Sequence, residues 1–174
     1  KGSLLFWSLL LTFFTSLVEW QNRDRNRDLM PYVTATLMTV AVFFLGMCTF
    51  IADPFEKLPI AAREGADLNP LLQNYWMMIH PPSLYTGYVS STVPFAFGIA
   101  ALASGRLGDQ WIRTTRRWAL FSWFFLSLGN LFGARWAYEV LGWGGYWAWD
   151  PVENAAFMPW LVSSAYLHSV IIQE

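Results

Sequence analysis

The chain has 174 residues, of which 55% are hydrophobic and 18% aromatic but only 13% charged. An average soluble domain carries roughly 25% charged residues, so this composition argues against a water-soluble fold, and a net charge of −1 with no basic patch excludes a nucleic-acid partner. A single cysteine, Cys48, excludes an internal disulfide and a thiolate metal cluster.

In chain order, five apolar runs stand out: 2–18, 31–51, 82–103, 118–136 and 154–172. A bilayer core of about 30 Å needs roughly 20 apolar residues in a helix, and somewhat fewer can suffice. None of the runs carries a charged side chain in its interior. A soluble helical bundle would show a polar stripe every three to four residues, and these runs are apolar all round. The run 2–18 follows one basic residue and has no small-residue cleavage site after it, so it reads as a span rather than a signal peptide. Cys48 lies inside the second run and reads as a small buried hydrophobe. The predicted fold is therefore all-α: a polytopic membrane protein of about five transmembrane helices, residues 1–174 forming one membrane domain segment. The start at Lys1 and the end at Glu174, each beside an apolar run, read as the cut ends of a longer chain. The longest connection, 52–81, is expected to hold a short helix or two at the interface.

Orientation follows from the basic residues. The first connection holds Arg23, Arg25 and Arg27, and the third holds Arg106, Arg113, Arg116 and Arg117. The second has Lys57 and Arg63 against four acids, and the fourth has Arg135 against Glu139, Asp150 and Glu153. The first and third connections are thus predicted on the cytoplasmic (or matrix) side, and the second and fourth outside.

The outward fourth connection, 137–153, is dense in aromatics. Trp136, Trp143, Trp147, Trp149 and Trp160 lie close in sequence, with Tyr138 and Tyr146 among them. A single Trp or Tyr there is an ordinary interface anchor. A cluster around the Gly144-Gly145 turn, where the backbone allows close approach, suits a large planar ligand such as haem. Asp150, Pro151 and Glu153 match a capping box opening the fifth helix.

The chain has two histidines, His80 and His168. His80 precedes Pro81-Pro82, and a residue before proline is pushed out of the α region. His80 is therefore expected just before the third span, on the outer side with the aromatic loop, where neutral imidazole is a fit axial ligand for haem iron. His168 lies 14 residues beyond Asn154, about 21 Å along a helix, in the inner half of the bilayer. An ionisable residue there is a functional candidate by default, and a polar residue satisfied by the inner headgroups is the plain alternative. The two are too far apart to ligate one haem. If both bind, there are two haems, and each second ligand comes from outside this segment.

The run Trp143-Gly144-Gly145-Tyr146-Trp147-Ala148-Trp149-Asp150-Pro151-Val152-Glu153-Asn154, continuing to Leu161, resembles the tryptophan-rich WWD signature of haem-handling membrane proteins. Its Trp-Asp-Pro-Val-Glu-Asn ending is closer to the CcmF-type cytochrome c haem lyases than to the CcsA or CcmC branches. Asn69-Pro70-Leu71-Leu72-Gln73, followed by His80-Pro81-Pro82-Ser83-Leu84-Tyr85-Thr86-Gly87-Tyr88, is similar to the stretch that CcmF proteins carry upstream. The matching stretches run through most of residues 69–168, and residues 1–68 match mainly in hydropathy.

The resemblance implies a haem lyase of cytochrome c maturation, attaching haem to apocytochrome c through thioether bonds. Haem would arrive on the chaperone CcmE and lie against Trp143, Gly144, Gly145, Tyr146, Trp147, Trp149 and Asp150, with His80 as its axial ligand. Tyr146 stands where the family often has Trp. A second, b-type haem in the membrane would be ligated by His168 and would reduce the first with electrons from quinol. The partner histidines would lie beyond Glu174, in the remaining part of the CcmF chain. A CcmH-type subunit would keep the apocytochrome thiols reduced, and Arg135 or Arg63 would pair with haem propionates. Cys48, buried without a base, is no nucleophile. The implied location is the bacterial inner membrane or, since split CcmF genes occur in plant mitochondria, the mitochondrial inner membrane. The alternatives are a CcmC-like haem carrier or exporter without ligation activity, and a structural subunit whose aromatics only anchor it.

Overall fold

Inside lipid an apolar run satisfies its backbone polar groups by forming a helix. The computed structural model, which describes residues 1–57, 59–60, 64–65 and 67–172, contains no strand among the described residues. Its elements are α1 (Gly2–Asn22), α2 (Met30–Phe50), a 3-10 turn (Pro70–Leu72), α3 (Tyr75–Ser90), α4 (Thr92–Ser104), α5 (Gln110–Val140) and α6 (Pro151–Ile172). Among the described residues, three helical stretches are long and apolar enough to cross a membrane by length and composition: α1, α2 and the α3–α4 rod, Tyr75–Ser104. Helices α5 and α6 have 31 and 22 residues. The charges of α5 crowd its ends and leave 118–134 uncharged, about 25 Å of helix.

The main core lies among α1, α2 and α4. Leu11, Phe14 and Val18, Val33 and Leu37, and Val93, Ala96 and Phe97 are buried. These positions recur at three- and four-residue intervals, one stripe per helix. The outer faces keep Leu9, Phe13, Val42, Phe43 and Leu102 exposed, a surface suited to lipid rather than water. Cys48 is buried and free, as expected. The α3–α4 rod is interrupted at Ser91, where the hydroxyls of Ser90, Ser91 and Thr92 donate back to the carbonyls of Thr86, Tyr88 and Val89 and compete with the backbone ladder. Gly105, at φ +71°, closes the rod, with the Arg106 amide donating to the Ala101 carbonyl.

Helices α3 and α5 pack antiparallel through small residues. A methyl group on Gly87 would lie 2.6 Å from the Leu126 nitrogen, and one on Gly129 would lie 2.8 Å from Leu84 Cα. One on Gly133 would lie 2.7 Å from the His80 ring. Ser122 Oγ donates across the seam to the Gly87 carbonyl at 2.7 Å. Apolar burial gives little drive between helices in lipid, so close backbone approach and interhelical hydrogen bonds carry the association.

The seam corrects the expected start of the third span. The helix does not begin after Pro81; it begins at Tyr75, capped by the Asn74 side chain accepting from the Trp76 amide at 2.8 Å. Pro81 and Pro82 lie inside α3, and His80 is helical rather than extended. Proline in a helix interior costs about 3 kcal/mol, and the close seam with α5 holds the helix through it. The connection before α3 contains one 3-10 turn among its described residues.

Candidate functional site

The aromatic loop spans 141–150, shorter than the expected 137–153 because α5 continues to Val140 and α6 starts at Pro151. Gly144 (φ +77°) and Gly145 (φ +60°) take left-handed conformations that glycine tolerates. A methyl group on Gly144 would also fall 2.5 Å from Ala148 Cβ. Trp149 is left-handed too, at φ +58°, a strained state for a bulky residue. What holds it is the predicted capping box, and more. The Glu153 amide donates to Asp150 Oδ1 at 2.7 Å, and Glu153 Oε2 accepts from the Asp150 amide at 3.3 Å and the Ala148 amide at 2.8 Å. Asn154 Nδ2 donates to the Trp149 carbonyl at 3.2 Å.

Clamped this way, the loop holds Trp143 and Trp149 two-thirds exposed (67% and 66%), with Tyr146 half exposed. Tyr146 stacks on Tyr138 of α5, rings parallel at 4.1 Å. Trp147 turns inward, edge-on to Phe157 at 5.4 Å. From there an aromatic column descends the α5–α6 seam: Phe157 stacks on Trp160, and Trp160 on Trp123. The indoles of Trp160 and Trp123 donate to Ser127 and Ser164, each at 2.7 Å.

His80 projects from α3 onto α5. Its Nδ1 lies 2.7 Å from the Gly129 carbonyl. A carbonyl only accepts, so Nδ1 carries the proton and, in the neutral ring, Nε2 keeps its lone pair. Gly133 makes room for the ring. Gly129 and Gly133 lie 11 and 7 residues before the end of α5, about two to three turns below the loop. His80 and the aromatic loop therefore share one end of the bundle. The same end holds the Trp136 indole, which donates to the Leu71 carbonyl at 2.9 Å.

Arg135 forms an ion pair with Glu139, Nε to Oε1 at 2.7 Å, and Glu139 also accepts from Asn74 and from the Trp76 indole. Beyond the uncharged part of α5, the hydrogen bond from Asn74, followed by the Arg135 charge, holds the Glu139 carboxyl below the usual carboxylate range. Arg63 lies outside the described residues. His168 is exposed on α6. Tyr166 lies 3.4 Å from Thr115, so His168 sits near the start of α5, about 21 Å along the axis from the level of Gly129. The structure thus separates the two histidines. At the lower end the arginine-rich connections meet: Arg106 pairs with Asp28 at 2.8 Å, and Gln110 donates to Asn26 at 2.8 Å. Sequence reasoning missed Gly129, Gly133 and Phe157. The Gly129-x-x-x-Gly133 spacing was the available signal for a close helix contact.

The fold and site define a polytopic all-α membrane protein with an aromatic platform and an imidazole at one end. The family described as "Cytochrome C assembly protein" matches residues 1–174, and the chain belongs to it, in its CcmF-type cytochrome c biogenesis branch. It is 49% identical to the cytochrome c-type biogenesis protein CcmF of Escherichia coli, over 100% of this chain and 27% of that protein. It is 46% identical to CycK of Rhizobium meliloti and 42% identical to NrfE of Haemophilus influenzae, covering all of this chain and 26% and 27% of theirs. The chain thus spans about a quarter of the length of these relatives. No solved structure matches.

Proposed function

We propose that this cytochrome c biogenesis chain crosses the bacterial inner membrane about five times and presents its aromatic loop outside. There it holds haem for thioether attachment to apocytochrome c, as part of a haem lyase. The observation that carries the reading is the His80–Gly129 hydrogen bond, which leaves Nε2 as the donor atom at the end of the bundle that bears the loop. A ligating histidine characteristically donates its other ring N–H to a carbonyl, which fixes its orientation. The exposed faces of Trp143, Tyr146 and Trp149 supply flat apolar surface, and the capping box keeps that surface in place.

The chain's residues orient rather than react. His80 ligates the iron, the aromatics set the plane, and Arg135 turns to a propionate when its Glu139 partner yields. Haem, as substrate, supplies the vinyl groups to which the two thiols of a CXXCH segment add. Its donor is the chaperone CcmE, and a CcmH-type subunit keeps the thiols reduced. His168, on the far side of the bilayer, would be one ligand of a membrane b-type haem, which would supply electrons from quinol, and the remaining part of the protein would supply the second ligand to each iron.

The test uses the full-length membrane protein. Two independent losses of Soret absorbance are expected, one in His80→Ala and one in His168→Ala, and each variant should lose holocytochrome c formation. A Soret band and maturation unchanged in His80→Ala would overturn the outward site. Soret absorbance lost in the variants with maturation intact would favour a carrier role.

A further inference from the structure

Opposite the aromatic loop, a cleft of about 1280 Å³ opens between the end of α1 and the start of α5. One half is cationic. Arg25, Arg113 and Arg117 line it, with Asp109 as the acid among them, for a net charge of +2 (three positive, one negative). Asp109 is already paired with Arg113 at 2.8 Å. Among the described residues Arg25 and Arg117 have neither an ion pair nor a side-chain hydrogen bond. The cationic half has a fixed floor. Asn26, at φ +52°, donates to Asn22 at 2.8 Å and to Thr114 at 3.2 Å and accepts from Gln110. This amide network ties the two helix ends together, so the guanidiniums stand on a built surface rather than a loose loop.

The other half is apolar. Phe13, Leu17 and Phe121 continue the cleft along the sides of α1 and α5, and Phe13 is 59% exposed. A soluble anion would leave that wall unused, and a neutral apolar ligand would leave two arginines unmatched. An amphiphile with an anionic head uses both.

We propose that this cleft binds an anionic phospholipid of the leaflet on the arginine-rich side, its phosphate between Arg25 and Arg117 and an acyl chain along Phe13 and Phe121. Basic pockets between transmembrane helices on the cytoplasmic side are suited to such headgroups. The site lies at the end of the bundle away from the haem platform and does not depend on it.

The experiment is native mass spectrometry of the full-length protein released from nanodiscs of mixed phosphatidylglycerol and phosphatidylethanolamine. Wild type is expected to retain phosphatidylglycerol selectively. The double variant Arg25→Gln/Arg117→Gln should retain it at least about tenfold less, whereas Arg25→Lys/Arg117→Lys and the off-cleft Arg27→Gln should keep it. Inorganic phosphate at millimolar concentration should not displace it. Equal retention in the double variant, equal retention of phosphatidylethanolamine in wild type, or full displacement by inorganic phosphate would each overturn the proposal. The lysine pair guards against misreading a folding defect, because it preserves charge while removing the guanidinium.

Discussion

One ring and two glycines set the geometry at His80. The Gly129 carbonyl fixes which nitrogen is free, and Gly133 provides the space the ring occupies. Gly133→Ala would place a methyl group 2.7 Å from Cε1 and force the imidazole off the Gly129 carbonyl. The expected cost is about 1–3 kcal/mol, with a loss of haem absorbance larger than the loss of folded protein. Gly142→Ala, with nothing within 4 Å, is the control and should leave the spectrum unchanged. His80 also shows where reading from sequence stops. The dipeptide Pro81-Pro82 locally favours a helix beginning after it, and in isolation that reading is sound. The deciding contact lies 49 residues away in sequence, at Gly129, and no local preference contains it. Asp150 and Glu153 are the opposite case. Their partners are near neighbours in the chain, so the spacing alone predicted the cap that forms.

At the scale of the element, the loop depends on one carboxylate. Glu153 Oε2 serves both the Ala148 and Asp150 amides and closes the strained turn at Trp149. Glu153→Ala should cost about 0.5–2 kcal/mol and speed hydrogen exchange at those two amides, while Glu153→Gln, which keeps one acceptor, should fall between. The segment before α3 is tethered by a second carboxylate, Glu139, through Asn74 and Trp76. Its carboxyl lies below the ordinary range when folded, mainly through the Asn74 hydrogen bond. Its stabilising contribution is therefore complete above the unfolded-state carboxylate value and is lost as pH falls through the lowered folded value. Protection of the backbone amides in 71–76, corrected for the intrinsic pH dependence of exchange, should stay level from neutral to mildly acidic pH and fall only below the usual carboxylate range. Glu139→Gln should remove that pH dependence. Helix ends were the least readable feature of the elements. Apolar runs mark where lipid begins, but α5 continues past its run in both directions, to Gln110 and Val140, because charged residues favour a helix as readily as apolar ones do.

Across the whole molecule, the two ends differ in chemistry. The arginine-rich connections and the amide network occupy one end, and the aromatic loop with Glu139, Asp150 and Glu153 occupies the other. The uneven distribution of basic residues along the chain anticipated this polarity, because that bias is carried by composition rather than by contacts. The pairing of helices was not anticipated. Which runs adjoin is decided by small residues and indole–serine bonds across the α3–α5 and α5–α6 seams.

The antiparallel mesh of His80, Leu84 and Gly87 with Gly133, Gly129 and Leu126 carries one more consequence. The imidazole is keyed to α5, and the aromatic platform hangs from the end of the same helix, anchored by Tyr138 against Tyr146. A thicker or thinner bilayer is met by tilting helices. A tilt of α5 would carry the imidazole and the aromatic loop together, so the gap between them is set by one helix and is insulated from the changing dimensions of the lipid around it.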